Sequence, residues 1–324
     1  MRILAIRLAR FGDIVLLLPA LSSLKACFPE SHLTFLTDGR FAPLAAMCPA
    51  IDEVVSLDRI GMRDGSYLNA MREIVRFGRN LRRQKFDVAI DFHGFRETNL
   101  IAWWSRAPKR LGLKRADQSY LRFCFNQQPV LEDKNLHVAD MFLKVAERFS
   151  PLPKKLQSRS PLVIPSETAH WVTSCLPPPP FSVLYVDAPV RDRIWPLERF
   201  IGLTRLMIRD LGVPVVVVGG PGRELKGFPD GVIVLSSLSI PRLAAVVASA
   251  RLLVSNDTGP MHLGPALGIP TVGIFSVGIP THFRPTGLYD RYVQGTPIQS
   301  VMIDTVYDAI RQVWEASERS NLQC

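Results

Sequence analysis

The chain of 324 residues is 47% hydrophobic and carries a formal net charge of +10. That length predicts two domains, and the apolar content is sufficient to fill two cores. The excess of basic side chains favours anionic partners such as a membrane surface, nucleic acid or phosphorylated sugars. No apolar run approaches the ~18–20 residues of a membrane-spanning helix. Gly12 and Asp13 interrupt the N-terminal run that otherwise resembles a signal peptide.

The five cysteines are scattered along the chain, without the spacing of a metal site. We therefore expect buried thiols in a reducing cytoplasm rather than a disulfide framework.

Strands alternate with helices along the sequence, a pattern typical of parallel sheets. In the first half, strands are predicted at Arg2–Ala9, His32–Thr37, Glu53–Leu57 and Phe86–Asp91. The segment 151–180 has the proline and serine content of a linker, with a short helix predicted at 167–174. A second alternating series begins at Phe181 and ends in a helix predicted at 303–317. The sequence thus predicts an α/β chain with domains at 1–165 and 166–324.

A strand, a turn and an apolar helix open the chain. The strand RILAIRLA leads to the turn Phe11-Gly12-Asp13, and the helix is predicted at 14–26. A carboxylate at a helix N-terminus can act as a cap that stabilises the helix by ~0.5–2 kcal/mol. These residues alone favour that capping role for Asp13 over a chemical one.

The stretch LLVSNDTGPMHLGPALGIPTVGIF repeats this arrangement in the second half. An apolar strand ends in the polar turn 255–259, and Pro260 occupies the first helical position. Backbone N–H groups and the helix dipole at such a turn favour a phosphate. Asp257 and Thr258 add a carboxylate and a hydroxyl, and His262 follows one helical turn later. A plain strand–helix turn capped by Asp257 is the alternative.

Other site classes find little support in the sequence. Neither the six histidines nor the cysteines show metal-ligand spacing, and no Asp-x-Asp pair occurs. The first strand is not followed by the G-x-G-x-x-G turn of a nicotinamide-binding domain. The net charge leaves nucleic acid as a partner class, but no recognition motif supports it.

Six blocks of the sequence together resemble glycosyltransferase family 9, the lipopolysaccharide heptosyltransferases. They are RLARFGDIVLLLPALSSLKACFPE, DFHGFRETNL, HVADMFL, WPLERF, VVVVGGPGRE and SNDTGPMHLGPALGIPTVGIF, in the family's order and approximate spacing. The resemblance spans nearly the whole chain, and its GD-I-V and DTGPMHL blocks are specific. It implies a GT-B fold, in which two Rossmann-like doubly wound domains face each other across a cleft that binds a nucleotide-sugar. It also implies that the C-terminal helix packs back on the first domain.

The resemblance implies an inverting glycosyltransferase that needs neither a metal nor another cofactor. Such an enzyme would move a sugar, heptose from ADP-heptose in this family, onto a lipopolysaccharide core or a related surface glycan. Another GT-B enzyme such as a nucleotide-sugar epimerase, or a non-catalytic relative, is the alternative. We expect a monomer that lies on the cytoplasmic face of the inner membrane, contacts anionic lipid and a lipid-linked anionic glycan, and has no nucleic-acid partner.

Carried over residue by residue, the resemblance makes Asp13 the catalytic base. Arg193 stands where the family has a lysine for the leaving diphosphate, and Glu224 stands where a glutamate meets the ribose. Leu238 would flank the nucleotide base. The donor-binding residues implied are Gly12, Glu224, Leu238, Asp257, Thr258, Gly259, Met261 and His262.

The chain departs from the family pattern near the diphosphate. Arginine at position 193 keeps the positive charge and can grip two phosphate oxygens, but it cannot reproduce the single-point geometry of lysine. Ala188-Pro189 replaces the usual hydroxyl residues, and SVGIPTHFRP replaces the common glycine–proline–threonine loop. Diphosphate binding is therefore expected to depend on Arg193, Thr258 and the N–H groups of Gly259 and Met261.

A basic stripe is predicted on a helix in the first half. Arg72, Arg76, Arg79 and Arg83 recur at helical spacing, opposite an apolar face that comprises Leu68, Met71, Ile74, Val75 and Leu81. In a protein that handles a lipid-linked anionic glycan, this stripe favours contact with a membrane surface, whereas a solvated helix face is the alternative. Arg110 and Lys114 lie in a segment that the resemblance places near the acceptor's phosphorylated sugars.

Overall fold

The computed structural model describes residues 1–57, 67–151 and 162–321, apart from the side chains of residues 67–74, 320 and 321. The chain forms two compact units, Met1–Pro161 and Leu162–Cys324. Within the described residues, no helix has both the length and the apolar character needed to cross a membrane. The packing of the C-terminal helix on the first domain stays a prediction.

The first unit contains a six-stranded parallel sheet covered by helices. Its strands are β1 (Arg2–Ile6), β2 (His32–Asp38), β3 (Glu53–Leu57), β4 (Val88–Asp91), β5 (Lys109–Lys114) and β6 (Val130–Leu131). Its described helices are α1 (Phe11–Cys27), α2 (Ala42–Ala45), α3 (Tyr67–Arg83), α4 (Arg96–Trp104) and α5 (Val138–Phe149). The strand order is β3-β2-β1-β4-β5-β6.

The second unit repeats this architecture. Its strands are β7 (Ser182–Tyr185), β8 (Val215–Gly219), β9 (Ile233–Ser236), β10 (Leu252–Asn256), β11 (Thr271–Phe275) and β12 (Arg291–Gln294). Its described helices are α6 (Ser166–Cys175), α7 (Leu197–Leu211), α8 (Ile240–Ala248), α9 (Leu263–Leu267), α10 (Pro280–Phe283) and α11 (Ile303–Asn321). The strand order is β12-β11-β10-β7-β8-β9.

Both sheets reverse their winding direction at one pair of neighbouring strands. In the first unit β1 lies beside β4, with Ile6 opposite Asp91, and in the second β7 lies beside β10, with Tyr185 opposite Ser255. In an open parallel sheet, ligands bind outside the carboxyl ends of the strands at such a reversal. Ligand-binding residues are therefore expected directly after β1, β4, β7 and β10.

The central strands are buried on both faces. In β1 every residue from Ile3 to Ile6 has no exposed surface, as expected for a parallel strand covered by helices on both sides. Such a strand reads as a continuous apolar run rather than as an alternating one, which is why the sequence reveals it readily.

Trp195 anchors the segment that precedes α7 in the core of the second unit. Its side chain is fully buried, its Nε1–H donates to the Val301 carbonyl at 2.9 Å, and its backbone N–H donates to Asn256 Oδ1 at 3.1 Å. Because Asn256 is the last residue of β10, these contacts hold the segment around Arg193 beside the carboxyl end of that strand.

Three strands are missing from the sequence prediction. The strand β5 has charged residues at both ends, and β12 is an edge strand of which only Val293 is buried, so neither has a strong apolar signal. The two-residue strand β6 is too short to show one. The prediction also placed Val75 in the apolar face of α3, but its side chain is exposed, whereas Leu81 is buried as predicted.

Candidate active site

Arg7 and Asp13 meet immediately beyond β1. Arg7 Nη2 donates to Asp13 Oδ1 at 2.7 Å, and Arg7 Nη1 donates to the Phe92 carbonyl at 2.6 Å. The Arg7 side chain is 3% exposed, whereas that of Asp13 is 24% exposed. The first unit thus has a partly exposed carboxylate that accepts a hydrogen bond from a buried guanidinium.

Asp13 is kept in its ionised form. Burial alone raises the pKa of Asp13, but the charge and hydrogen bond of Arg7, with smaller contributions from Arg115 and His93, hold that pKa below its ordinary value. Within the described residues, Oδ2 accepts no hydrogen bond. This oxygen is therefore available to accept a proton or a hydrogen bond from a ligand.

Asp91 fixes the loop that follows β4. Its Oδ1 accepts from the N–H groups of His93 and Gly94, at 2.8 and 3.1 Å, and its Oδ2 accepts from Asn99 Nδ2 at 2.7 Å. Gly94 has φ +75°, and a Cβ there would lie 2.6 Å from the Leu113 carbonyl, so the loop requires glycine. Burial raises the pKa of Asp91.

Arg193 and Asp257 form the corresponding pair in the second unit. Arg193 Nη1 lies 3.0 Å from Asp257 Oδ2, with the arginine side chain 30% exposed and the aspartate 3% exposed. Burial raises the pKa of Asp257, and the Arg193 charge opposes that rise without cancelling it. Gly278 packs against the same carboxylate so closely that a Cβ there would overlap it.

The turn beyond β10 differs in detail from the predicted helix. Residues Gly259–His262 form one turn of 3-10 helix, and α9 begins only after it. The Met261 N–H donates to the Thr258 carbonyl at 3.1 Å, so it is engaged within the turn. Met261, His262 and most of Thr258 are buried.

A second carboxylate, which the sequence prediction missed, lies at the end of β7. Asp187 Oδ2 accepts from the Gly220 N–H at 3.1 Å, and Arg223 Nη1 lies 3.5 Å from Asp187 Oδ1. Glu224, by contrast, has a side chain that is 72% exposed and pairs with Lys226. At the carboxyl end of β8, therefore, Arg223 rather than Glu224 contacts the residues beyond β7.

The structure brings together part of the predicted set. Gly12 is buried in the first turn of α1 beside Asp13, and Leu238 is half-buried in the loop after β9. The residues assembled around the end of β10 are Arg193, Asp257, Thr258, Gly259, Met261 and His262.

The predicted acceptor and membrane residues have different surroundings. Arg110 is tied to the protein, because Nε donates to the Cys124 carbonyl at 2.9 Å and Nη1 to the Ala107 carbonyl at 2.6 Å. Lys114 is exposed at the end of β5. On α3 the side chains of Arg76, Arg79 and Arg83 are exposed, and that of Arg72 lies outside the described residues.

Within residues 1–57, 67–151 and 162–321, no group of three or more histidine, cysteine or acidic side chains is arranged to hold a metal ion. The expected independence of metals and cofactors stays a prediction.

Comparison with known proteins shows what the chain resembles. The model of glycosyltransferase family 9 (heptosyltransferase) matches residues 74–301. Lipopolysaccharide heptosyltransferase 1 of Pseudomonas aeruginosa is 25% identical over 304 residues, covering 90% of this chain and 82% of that protein. The segment matched by the family model contains Arg193 and Asp257 and begins after Asp13.

Solved structures share the architecture. A family 9 glycosyl transferase from Veillonella parvula has a TM-score of 0.85 at 23% identity, covering 97% of each chain. The E. coli heptosyltransferase WaaC with ADP has a TM-score of 0.82 at 20% identity, covering 97% of this chain and 100% of that one. The predicted GT-B type of α/β fold is thereby confirmed.

We expect Gly278→Ala to displace the Asp257 carboxylate and lower the free energy of unfolding. An added methyl group in a packed site forces shifts of its neighbours that typically cost about 1–3 kcal/mol. Urea-induced unfolding measures the change. The matched control is Gly39→Ala, where a Cβ would make only an ordinary 3.8 Å contact with the Leu57 carbonyl. Equal stability of the two variants would show that the Asp257 site tolerates the added methyl group.

Proposed function

Because the chain belongs to glycosyltransferase family 9, the heptosyltransferase family, we propose that it transfers a heptose from a nucleotide-heptose to a lipopolysaccharide-core acceptor. The observation that carries this proposal is the Asp13 carboxylate, held ionised by Arg7 with one oxygen available. ADP is the proposed nucleotide, since the E. coli relative was solved with ADP. The epimerase alternative is not favoured, because the family model and the curated relative are those of glycosyltransferases.

The proposed reaction is an inverting displacement with Asp13 as the general base. Asp13 Oδ2 takes the proton of the acceptor hydroxyl while the hydroxyl oxygen forms a bond to the anomeric carbon of the donor. The bond from the anomeric carbon to the diphosphate breaks on the opposite face, and the nucleoside diphosphate leaves. A base positioned in this way typically contributes about 10²–10⁴-fold to the rate.

The second unit supplies the proposed donor site. Arg193 would place its guanidinium on the departing diphosphate, and Asp257 holds that guanidinium through their 3.0 Å contact. The Thr258 hydroxyl and the Gly259 N–H would bind further phosphate oxygens. Met261 would contribute packing rather than its N–H, which is engaged with Thr258.

The ribose contact is proposed for the loop after β8. Glu224 pairs with Lys226 in the structure, so donor binding would have to exchange that partner for the ribose hydroxyls. Asp187 offers a second carboxylate near the same strand ends, where open parallel sheets bind ribose. Leu238 and His262 complete the proposed donor contacts.

We propose that the protein acts as a peripheral enzyme at the cytoplasmic face of the inner membrane. The exposed arginines of α3 support electrostatic attachment to anionic lipid. An exposed aromatic pair lies on the same unit, since Trp103 is 44% exposed, Phe123 is 63% exposed and their ring centroids are 6.2 Å apart. Tryptophan is enriched at membrane–water interfaces, and the two rings together would add an apolar component to the attachment.

We expect Asp13→Asn to abolish heptose transfer, with a fall in kcat of about 10²–10⁴-fold, because the amide cannot accept the proton. Steady-state kinetics with an ADP-heptose donor measures it, and calorimetry should show nearly unchanged ADP affinity. Asp117→Asn is the control, since Asp117 is 72% exposed and pairs with Lys134. Wild-type turnover by Asp13→Asn would exclude the base role.

Asp257→Ala and Thr258→Val should each weaken binding of a nucleoside diphosphate by about tenfold. The first removes the partner that holds Arg193, and the second removes a hydroxyl donor, and a hydrogen bond to a charged group is worth about 1.5–3 kcal/mol. Calorimetry with ADP, GDP and UDP measures both affinity and base preference. Asp304→Ala, at an exposed position of the same unit, is the control. Unchanged affinity in both variants would mean that the nucleotide binds elsewhere.

Vesicle sedimentation should show attachment to anionic but not to neutral lipid, lost at high salt and in a variant with Arg72, Arg76, Arg79 and Arg83 all changed to Ser. Each basic residue near an anionic surface contributes ~1 kcal/mol, and salt screens that attraction. The control removes the same charge from exposed positions of the second unit: Arg205, Arg209, Arg291 and Arg311. If the stripe variant binds as well as this control, the stripe is a solvated face. A Trp103→Ser/Phe123→Ser variant then tests the exposed aromatic pair as the attachment site.

A further inference from the structure

Arg7 is a buried charge in a position where the strand would ordinarily continue with an apolar residue. It follows four residues of β1 that have no exposed surface, and it is itself only 2% exposed. Burying a guanidinium is costly unless it is paired and hydrogen-bonded. An apolar side chain at this position would pack in the core without the desolvation cost of a charge. Packing therefore does not explain the arginine.

The contacts of Arg7 hold its guanidinium from three sides. Nη1 donates to the Phe92 carbonyl at 2.6 Å, Nη2 donates to Asp13 Oδ1 at 2.7 Å, and Cζ lies 4.4 Å from the centre of the Phe142 ring. The planar fork is thus oriented by the strand end of β4 and by a helix of the same unit. A guanidinium oriented in this way gives the carboxylate that it binds a fixed position as well as a countercharge.

We propose that Arg7 is the positioning residue of the catalytic base: it engages Oδ1 of Asp13, so that Oδ2 receives the acceptor proton, and it keeps the carboxylate ionised. This inference rests on the proposed function, in which Asp13 is the base. Arg7 does not touch the reacting atoms in this scheme. It acts through Asp13 alone.

Among the described residues, three cationic or titratable groups act on the charge of Asp13, each from a different part of the unit. Arg7 follows β1, His93 follows β4 and Arg115 follows β5. Arg115 donates to the His93 carbonyl at 2.7 Å and pairs with Glu132 at 3.3 Å, so its charge is shared with another carboxylate. Of the three, Arg7 is the one with a hydrogen bond to Asp13. Its removal should therefore change the titration of Asp13 more than removal of Arg115.

The sign of the expected change follows from the pairing. Arg7 lowers the pKa of Asp13, so without Arg7 the carboxylate protonates at a higher pH. An opposite charge at such a distance typically shifts a carboxylate by about 1–3 pKa units. The acid limb of kcat/KM should move upward by about that amount in Arg7→Met, a variant that fills a similar volume without charge. Arg7→Lys should restore the acid limb but not the full kcat, because lysine keeps the charge and loses the fork.

The decisive measurement is the carboxyl titration of Asp13 itself, followed by ¹³C NMR in the full-length protein and assigned by the signal lost in Asp13→Asn. We expect a higher midpoint in Arg7→Met, a midpoint near that of wild type in Arg7→Lys, and a smaller change in Arg115→Met. An Asp13 midpoint in Arg7→Met equal to that of wild type would overturn the proposal, as would a larger shift in Arg115→Met.

A double variant distinguishes a loss of the Arg7–Asp13 pair from a loss of packing. If Arg7→Met does not fold, the double variant Arg7→Met/Asp13→Asn removes both charges, and its recovery of folding would show that the unpaired Asp13 carboxylate caused the failure, as the proposal requires. Failure of the double variant as well would show that Arg7 is needed for packing and would overturn the positioning role. The titration does not depend on transfer activity. A fully active Asp13→Asn would therefore remove the proposed base function, while the titration reports the Arg7–Asp13 coupling separately.

Discussion

The reversal of strand order in each sheet is the constraint on which the rest of this structure depends. Because β1 pairs with β4 and β7 pairs with β10, the chain leaves each pair of central strands in opposite directions. That geometry opens a crevice at the carboxyl ends of those strands. Polar residues that would be costly inside an apolar core find their place there. Arg7 and Asp13 follow β1, and Arg193 and Asp257 follow β7 and β10.

Each unit uses the same electrostatic device at its reversal, a contact between an arginine and an aspartate, with opposite burial. In the first unit the arginine is buried and the aspartate is partly exposed. In the second the aspartate is buried and the arginine is partly exposed. The exposed partner is available to a ligand, so the first unit offers an anionic group and the second a cationic one. These are the properties that a proton acceptor and a diphosphate site require.

Charged contacts surround the positions of the second unit where the chain departs from the family pattern. An arginine at position 193 has a carboxylate beside it that can orient its fork, which a simple exchange of lysine for arginine would not provide. Asp187 engages the Gly220 N–H and faces Arg223, so the loops after β7 and β8 are tied together. The proposed donor site thus contains paired charges at positions where the family more often has hydroxyl groups.

The sequence by itself determined the α/β class and a strand followed by a helix at both sites, because apolar periodicity and helix-start signals are local. The predicted turn at 11–13 is the first turn of α1, and the predicted turn at 255–259 begins within β10. It also yielded the family, through the order of its blocks. Only the tertiary structure decided that Arg7 meets Asp13, that Asp187 meets Arg223 and that Arg110 is tied to backbone carbonyls. It likewise showed that Glu224 pairs with Lys226. It also showed that β5 and β12, whose sequences carry little apolar signal, are strands of the two sheets. The physical reason is that neighbouring strands of a parallel sheet are distant along the chain. Side-chain contacts at their ends are therefore set by strand order and register, which no local pattern of residues specifies.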